Sequence, residues 1–460
     1  MKDFLLYIKE CAGIFREIAG KEPVRIMGHL DCDGITSSSI IINALHREGI
    51  KVAYSSHRQL NEKAIKQIKE EPYKIVFFTD FGSNTIKLIN ENLNEKTVFI
   101  LDHHKYEETE TKHYNINPNK FGLNDNEICG AGVAYLFSKA LNLRNKDLSY
   151  IALIGIIGDN QEKNLSELNK HILNDAKEKD KIEVTIGLNL FGTQTRPIHK
   201  VLEYSTDIYI PGVSGNETGA ISFLENLGIK ITKADGNPRK IFDLSKEEIS
   251  SLSAAIIIRR IGKEENAENI SGNIYTIKKE KEGTPTRDAR EFSTLLNACG
   301  RLNMPSLGVG TCLSDKNIKE KAVGLLKDYK KEIISSLNWI YEKRKSEFVI
   351  EKENLVIINA QGSIKDTIIG TVNSILTKSG MFSNRAVIVS MAHSIDETTK
   401  ISLRSNNKDI DLSMVIGDVC SKLNGVGGGH PNAAGGTIPI EKEKEFIENI
   451  SLKLKNMQIN

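Results

Sequence analysis

The sequence predicts an α/β protein: an N-terminal domain with a mostly parallel sheet flanked by helices, a helical inserted segment, a long spanning helix and a smaller C-terminal α/β domain. Three observations support this prediction. From Val24 to Asp159, apolar runs alternate with helical patterns, which is typical of a parallel sheet covered on both faces. Residues 315–348 are highly charged but carry one apolar stripe, which indicates a long helix. Three further apolar runs and a glycine-rich segment follow that helix.

The strands of the N-terminal sheet are predicted where short apolar runs end in polar residues. These runs are VRIMG, KVAYS, KIVFFTD and TVFILD, and the run LIGIIG before Asp159 is interpreted as a further strand. Helices are predicted over ITSSSIIINALHREG, EKAIKQIKEE, NTIKLINENL and GAGVAYLFSKALNL. Ligands of open parallel sheets bind beyond the carboxyl ends of the strands, so the residues that follow each run are the candidates for a site.

The chain changes character after about Asn189, where shorter and more polar elements predict an inserted helical subdomain. Towards the C-terminus, strands are predicted over ENLVIINA, RAVIVSMAH and TKISLRS. A helix closed by Gly425 is predicted over LSMVIGDVCSKLNG, and a glycine loop over GVGGGHPNAAGG. The predicted domains are a main α/β domain (1–188), the inserted subdomain (189–284), a return to the main domain with an interdomain helix (285–348), and a second α/β domain (349–460).

Composition is that of an ordinary globular protein. The 460 residues are 39% hydrophobic and 27% charged, and no apolar run approaches the ~20 residues of a membrane helix. We therefore expect a soluble, cytoplasmic protein without a membrane partner. The N-terminus has the pattern of an amphipathic helix rather than of a signal peptide. The six cysteines form no CxxC pair, which argues against structural zinc, and the net charge of +2 neither indicates nor excludes nucleic acid.

Histidine and aspartate side chains follow four of the predicted N-terminal strands. The set comprises His29, Asp31, Asp33, Asp80, Asp102, His103, His104 and Asp159. Such ligands suit hard to borderline divalent ions such as Mn²⁺, and their number fits two ions that share a carboxylate. Any one of them alone is more simply a capping or turn residue. Together, however, so many carboxylates at one sheet edge would repel each other without a cation.

The order HxDxDG, D, DHH and GxxGD resembles the DHH phosphoesterase superfamily. The resemblance implies two divalent ions, Mn²⁺ first and Mg²⁺ as the alternative. It implies one ion held by His29, Asp31 and Asp80, and a second held by Asp33, Asp80, His103 and Asp159, with Asp80 bridging. It also implies a catalytic group in which Asp80 is joined by His104, which faces the substrate phosphate, and by Asp102, which orients a neighbouring ligand.

The glycine-rich segment near the C-terminus resembles the GGGH motif of the DHHA1 domain that accompanies DHH domains. Consecutive glycines let backbone amides approach an anion, although a tight turn explains them equally well. The segments ISLRS and LLNACGR look like phosphate-binding segments of RecJ-type nucleases, although a lone arginine is by default a surface residue. The predicted phosphate-binding residues are Arg301, Ser402, Arg404, Gly428, Gly429 and His430.

The resemblance implies a RecJ-like exonuclease of the archaeal type that hydrolyses single-stranded DNA, with RNA as a second substrate, from one end by a two-metal-ion mechanism. A 5′ to 3′ direction is favoured, in DNA replication and repair. The strand is expected in a cleft between the domains, and the GINS complex of the replicative helicase is an expected partner, with the inserted segment as its docking surface. Two alternatives remain open: an oligoribonuclease or small-nucleotide phosphodiesterase, and a non-catalytic scaffold of the replicative helicase.

Overall fold

Five strands form one parallel sheet in the N-terminal part of the chain. The structure is a computed structural model that describes residues 1–205, 208–352, 354–379, 381–383, 386–407 and 409–457. The strands are β1 (Val24–His29), β2 (Val52–His57), β3 (Ile75–Thr79), β4 (Thr97–Leu101) and β5 (Tyr114–Ile116). They pair in parallel in the order β2-β1-β3-β4-β5, which confirms the predicted sheet. The fifth strand was not predicted, since three residues are too few to show a periodic pattern.

Helices cover both faces of this sheet. They are α1 (Lys2–Ile18), α2 (Cys32–Arg47), α3 (Glu62–Glu70), α4 (Ile86–Asn92), α5 (Gly130–Leu141), α6 (Ser149–Gly158) and α7 (Glu167–Glu178). One core joins α1, α2, α5 and α6 to one face of the sheet, and a second lies under α3 and α4 on the other. In the first core, Phe15 packs edge-on against Phe77 and Phe99 at centroid distances of 5.3 and 5.6 Å.

One strand prediction was wrong. The run before Asp159 forms the buried helix α6, because a continuous apolar run has no periodicity that separates a core strand from a core helix.

The segment after α7 forms a mainly helical subdomain with a hydrophobic core of its own. It contains α8 (Ile198–Glu203), α9 (Glu217–Asn226) and α10 (Lys246–Arg260), and it is bounded by an antiparallel pair, β6 (Ile182–Leu188) and β7 (Ser271–Ile277). The chain then returns to pack α11 (Ala289–Arg301) against α6 and α2, and α12 (Pro305–Cys312) against α11 and α2. The long helix α13 (Lys316–Lys343) follows, as the apolar stripe predicted.

The chain divides into two compact units, residues 1–326 and 327–460. The second unit has a six-stranded mixed sheet in the order β12-β13-β11-β10-β9-β8. Its strands are β8 (Val349–Lys352), β9 (Leu355–Asn359), β10 (Val387–His393), β11 (Thr398–Arg404), β12 (Val426–His430) and β13 (Ala433–Pro439). Its further helices are α14 (Asp366–Lys378), α15 (Leu412–Ser421) and α16 (Glu443–Met457). The last three residues of the predicted domain 349–460 lie outside the described residues.

The predicted glycine loop is instead the hairpin β12–β13, and α15 ends at Ser421 rather than at Gly425. Glycine suggested a loop because it is depleted in strands. Here its missing side chain lets the hairpin approach α15, since a Cβ at Gly427 would lie 2.7 Å from Ile416 O. None of the helices in the described ranges is both long and apolar enough to cross a bilayer.

Candidate metal centre and phosphate-binding residues

Three neighbouring strands of the parallel sheet end at one rim. β1 ends at His29, β3 ends directly before Asp80, and β4 ends directly before Asp102. These strands lie side by side in the order β1-β3-β4. Because parallel strands end at the same edge, the predicted ligands from distant parts of the sequence meet there.

The backbone of Asp80 turns sharply at the end of β3. Its φ of 65° is left-handed, which aspartate tolerates at a cost of about 1–2 kcal/mol. The Asp80 N–H donates to Leu101 O at 2.8 Å, which ties the turn to β4. The carboxyl group is only 2% exposed and lies between the histidines of the neighbouring strands. The strained turn thus supplies a buried acid at the centre of the rim.

Two further carboxylates come from the start of α2. Asp31 caps the helix by accepting a hydrogen bond from the Gly34 N–H at 3.0 Å. Asp33 lies in the first turn, and its two oxygens accept the N–H groups of Gly130 and Ala131 at 2.7 and 2.8 Å. The N-terminus of α5 therefore fixes Asp33 and favours its negative charge. A Cβ at Gly34 would lie 2.3 Å from the His29 carbonyl oxygen, so this approach of helix to strand requires glycine.

The potential ligands form two groups that share Asp80. In the first, His29 Nδ1 lies 3.1 Å from Asp31 Oδ1 and 3.2 Å from Asp80 Oδ2. In the second, His103 Nε2 lies 3.6 Å from Asp80 Oδ1 and 3.8 Å from Asp33 Oδ2. His103 Nε2 also lies 4.0 Å from an oxygen of Asp159, which caps the end of α6. Each Asp80 oxygen therefore faces a different group.

The distances of 3.6–4.0 Å from His103 Nε2 to the three carboxylates are too long for hydrogen bonds. The ligand atoms that all lie within 4.8 Å of one another here are those of Asp80, His103 and His104. Asp80 Oδ1 is buried and accepts no hydrogen bond from any residue that the structure describes. A bound cation would satisfy this oxygen, and a buried polar atom without such a partner is costly.

Burial and crowding shift the pKa values of these acids. Burial raises the pKa of Asp80 well above its usual range, and the negative charges of Asp33 and Asp31 raise it further. Burial also raises the pKa of Asp159 to about 7, again with a contribution from Asp33. Burial opposes ionisation of Asp31, but the neighbouring His29 outweighs it and lowers the Asp31 pKa. Without a cation, the carboxyl groups at this rim therefore cannot all be ionised at neutral pH.

Asp102 and His104 form a pair beside the two groups. The buried Asp102 accepts hydrogen bonds from His104 Nδ1 at 2.8 Å and from the N–H groups of Ser83, His103 and His104. Burial alone would lower the pKa of His104, but the bond to Asp102 raises it to about 9. His104 Nδ1 also lies 4.0 Å from Asp80 Oδ1. The neutral imidazole could serve as a ligand beside Asp80 and His103, whereas the protonated form, which Asp102 favours, is a cation facing solvent.

The end of α11 brings Arg301 to the same part of the first unit. Asn297, one helical turn before Arg301, accepts the N–H of Cys32 at 3.0 Å. A Cβ at Gly300 would lie 1.9 Å from Leu30 O, so the helix end touches the loop between the first ligands. Arg301 is thus placed near the rim.

The other predicted phosphate-binding residues lie in the second unit, and all of them except Gly429 share one face of its sheet. Arg404 and His430 both stand opposite Ala433, on the two sides of β13. Ser402 and Gly428 both stand opposite Gly435, and Gly429 opposite Ala434. Residues directly opposite in antiparallel strands point to the same face, so Ser402, Arg404 and His430 share a face. The Arg404 guanidinium is held by Ser374 Oγ at 3.0 Å and by Leu403 O at 2.8 Å.

Three domain families match the sequence. The N-terminal domain of the DHH family matches residues 23–156, the DHH-CID domain matches residues 190–274, and the DHHA1 domain matches residues 354–456. This chain belongs to the DHH superfamily. Its members are mostly metal-dependent phosphoesterases, and the predicted family and its DHHA1 domain are confirmed. The predicted borders at 188, 284 and 348 stay predictions.

Two curated proteins resemble this DHH protein. An uncharacterized protein of Methanocaldococcus jannaschii is 30% identical over 442 residues, which are 93% of this chain and 92% of that protein. The single-stranded-DNA-specific exonuclease RecJ of Bacillus subtilis is 29% identical over 167 residues, which are 33% of this chain but only 21% of RecJ.

Solved structures share the fold of the DHH protein at low sequence identity. RecJ of Thermus thermophilus with Mn²⁺ is 16% identical with a TM-score of 0.59, and the match covers 98% of this chain and 55% of RecJ. CDC45 of Entamoeba histolytica is 11% identical with a TM-score of 0.64, and the match covers 98% of this chain and 99% of CDC45. At such identities the likeness extends to the fold alone.

Sequence reasoning did not single out several residues near this rim. His57 ends β2 beside His29. The next residue, Arg58, donates to Asn303 Oδ1 at 3.0 Å, two residues beyond Arg301. The end of the KVAYS strand was the available signal, since it lies at the same rim. Gln161 Nε2 donates to Asp159 Oδ2 at 2.8 Å, and Asp125 O lies 3.0 Å from His103 Nδ1, but no pattern in the sequence indicates these contacts.

Proposed function

We propose that this protein is a metal-dependent exonuclease that hydrolyses phosphodiester bonds from the end of single-stranded nucleic acid. DNA is the proposed main substrate, 5′ to 3′ the proposed direction, and Mn²⁺ the proposed ion, with Mg²⁺ as the alternative. One observation carries the proposal: the buried Asp80 carboxyl lies between two donor groups, and one of its oxygens has no hydrogen-bond partner among the described residues. Two ions sharing a carboxylate are the arrangement used in phosphoryl transfer.

The proposed roles of the ligands follow from their contacts. His29, Asp31 and Asp80 would hold one ion, and Asp80, Asp33, His103 and Asp159 the other. When bound, the ions would supply Lewis acidity for the attacking water and the leaving oxygen. Asp125 and Gln161 would fix the rings and carboxylates that face them, as groups outside the ligand shell commonly do.

The cationic groups near the rim would orient the phosphate. His104, whose side chain is about half exposed, is held by Asp102 and would donate a hydrogen bond to a phosphate oxygen. Arg58 and Arg301 would bind neighbouring phosphates, since guanidinium groups suit bidentate contacts with phosphate oxygens. In the second unit, Ser402, Arg404 and His430 would bind a phosphate on their shared sheet face, with the amides of Gly428 and Gly429 beside them.

The test is a time course on single strands labelled at the 5′ or the 3′ end, of DNA and of RNA, with Mn²⁺ or with EDTA. The proposal expects a ladder of shortened products that requires the metal and starts at one end. Cleavage confined to fragments of two to five nucleotides would contradict it in favour of a small-nucleotide phosphodiesterase.

No cleavage of any strand, together with no binding of Mn²⁺ by calorimetry, would favour the non-catalytic scaffold. That alternative is disfavoured because every position of the four motifs carries a potential ligand. Docking of the GINS complex on residues 189–284 is also a proposal, which copurification of the chain with and without that segment would test.

A further inference from the structure

An arginine outside the site described above is clamped between two aromatic rings. The guanidinium carbon of Arg196 lies 5.0 Å from the centre of the Phe191 ring and 5.4 Å from the centre of the Tyr204 ring. Both rings are unusually open for large side chains, with 39% of Phe191 and 52% of Tyr204 exposed. We infer that this Arg196 clamp, formed by Phe191, Arg196 and Tyr204, binds a phosphate and the adjoining bases of the substrate strand, an inference that rests on the proposed function.

The clamp is built by a tight turn that requires glycine. Gly192 has a φ of 93°, and the Arg196 N–H donates to its carbonyl oxygen at 2.9 Å. A Cβ at Gly192 would lie 2.5 Å from Arg196 Cδ, so any other residue at this position would collide with the aliphatic part of the Arg196 side chain. The side chain is therefore seated by the backbone before any ligand arrives, which lowers the entropy cost of binding.

The turn is anchored to the helix that reaches the metal centre. The buried Glu291, in the first turn of α11, accepts the Gln194 N–H at 2.7 Å and a short hydrogen bond from the Thr195 hydroxyl. Further along α11, Asn297 accepts the N–H of Cys32, between the candidate ligands Asp31 and Asp33. Six residues of helix span about 9 Å. The clamp therefore has a rigid connection to the candidate site.

The Arg196 guanidinium donates no hydrogen bond to any residue that the structure describes. The nearby Glu291 carboxyl interacts with its charge, but both Glu291 oxygens accept hydrogen bonds from the turn. The neighbouring cation, Lys200, differs from Arg196 because its ammonium group forms ion pairs with Glu203 and Glu217, each at 2.8 Å. Arg196 is thus the cation of this cluster that is available to an anion, and its planar fork suits phosphate oxygens.

The flanking rings favour nucleic acid over an acidic peptide. Single-strand-binding proteins combine cations for the backbone with aromatic rings on which bases stack. A carboxylate ligand would use the guanidinium but would leave the exposed parts of the two rings in contact with water. A nucleic acid strand carries a phosphate and a base on each nucleotide, so it can bind the guanidinium and also stack on the rings. A single-stranded nucleic acid is therefore the proposed ligand.

The test measures binding of oligothymidylates by fluorescence anisotropy in EDTA, so that the strand stays intact. Arg196→Ala should weaken binding of a strand of about 20 nucleotides by about tenfold, and of a strand of about four nucleotides by less than about twofold. Hydrolysis of bis(p-nitrophenyl) phosphate with Mn²⁺, which requires only the metal centre, should stay within about twofold of the parent. Equal binding of the long strand by parent and variant would overturn the clamp.

The matched control is Arg259→Ala. Arg259 lies 5.3 Å from the centre of the Phe223 ring in the same subdomain, in a pair with one ring instead of two, and its loss should leave strand binding unchanged. Tyr204→Phe should bind like the parent, whereas Tyr204→Ala should resemble Arg196→Ala. Equal losses in the Arg259 and Arg196 variants would point to general charge and contradict the clamp.

A photochemical cross-link separates contact from an indirect effect on folding. A strand with 5-iododeoxyuridine, irradiated on the parent protein, should cross-link to Tyr204 or Phe191, as peptide mass spectrometry would detect. Absence of both cross-links would contradict the clamp, as would loss of polyglutamate binding in Arg196→Ala while the strand binds normally.

A parent that hydrolyses the small phosphodiester but binds no strand would contradict the proposed exonuclease and the clamp together. A normal ladder with an unaffected Arg196→Ala variant would contradict the clamp alone.

Discussion

Asp80 and Asp102 are two buried aspartates at one rim, and their carboxylates have opposite effects on the stability of the fold. Asp80 lies beside other carboxylates and has an oxygen without a hydrogen-bond partner among the described residues, and burial raises its pKa. Asp102 accepts four hydrogen bonds, and although burial opposes its ionisation, the bond and charge of His104 lower its pKa. The first carboxylate is therefore costly without a cation, whereas the second stabilises the fold by itself.

This contrast predicts opposite effects of the same substitution. In EDTA near neutral pH, Asp80→Asn should raise the free energy of unfolding by about 1–3 kcal/mol, because folding then no longer requires a carboxyl group to be protonated or to be buried beside like charges. Asp102→Asn should lower it by about 1–3 kcal/mol, because an amide nitrogen replaces an acceptor. Urea unfolding followed by circular dichroism measures both. Mn²⁺ should stabilise the parent but not the Asp80 variant, which should also keep less than about 1% of the parent activity. A destabilised Asp80→Asn protein in EDTA would contradict this account.

His113 gives a prediction about pH. Burial lowers its pKa to about 4, with a contribution from Lys112, and its Nε2 is buried without a hydrogen-bond partner among the described residues. An unfolded histidine has a pKa of about 6.5, so between about pH 6.5 and pH 4 the unfolded chain binds the extra proton and stability falls as pH falls.

The measurement is the free energy of unfolding at about pH 7.5 and pH 5 for the parent and for His113→Gln. The parent should lose more stability than the variant, by up to about 1.4 kcal/mol per pH unit in that window. His46→Gln, at an exposed position in the last turn of α2, is the control and should follow the parent. An identical pH dependence of all three proteins would show that His113 is protonated as easily in the folded chain as in the unfolded one.

The hairpin β12–β13 shows at the scale of the element why three consecutive glycines form a strand. Gly429 has a φ of 137°, and a Cβ there would lie 2.8 Å from Ala433 O and from Ala434 Cα. A Cβ at the preceding Gly428 would have no heavy atom within 4 Å. Gly429 is therefore required by the hairpin itself, whereas Gly428 leaves an open surface.

Gly429→Ala should consequently destabilise the second unit by about 1–3 kcal/mol, because both the backbone conformation and the space forbid a side chain. Gly428→Ala should change stability by less than about 0.5 kcal/mol, as surface substitutions commonly do. Differential scanning calorimetry of the full chain measures both. Equal melting temperatures of the two variants would contradict the requirement for glycine at position 429.

At the scale of the whole molecule, the second unit has what an independent domain needs. Its sheet packs a core from β9, β10 and β11 against α15 and α16, and its members all lie between Leu355 and Leu454. The only tryptophan of the chain, Trp339, lies in the same unit and packs edge-on against Phe348 at 5.8 Å. We therefore predict that residues 327–460 fold when expressed alone.

The isolated segment should unfold in urea in one cooperative transition, with the same midpoint by Trp339 fluorescence and by far-ultraviolet circular dichroism. Different midpoints for the two probes, or helical signal without a cooperative transition, would contradict independent folding. A peptide of residues 316–343, the helix alone, is the control and should show no cooperative transition, since an isolated helix lacks a core.

Much of the fold could be predicted from local patterns. Alternating apolar and helical segments predicted the parallel sheet, and its strands end at His29, Thr79 and Leu101, within a residue or two of where the pattern placed them. The run before Asp159 was predicted as a strand but forms a helix, because strand and helix look alike when both faces are buried. The hairpin at Gly428 was missed because glycine has a poor strand propensity, which indicated a loop. The close approach of α15 overrides that local preference.

The sequence by itself determined that His29, Asp80 and Asp102 lie at or directly after strand ends, because the order of apolar runs and polar residues is a property of neighbours along the chain. Only the tertiary structure decided how those residues face one another: Asp80 between His29 and His103, Asp33 held by the start of α5, and Arg58 beside the residues after Arg301. The physical reason is that these contacts join segments tens to hundreds of residues apart, whose approach depends on packing of the whole core and leaves no periodic signal in either segment.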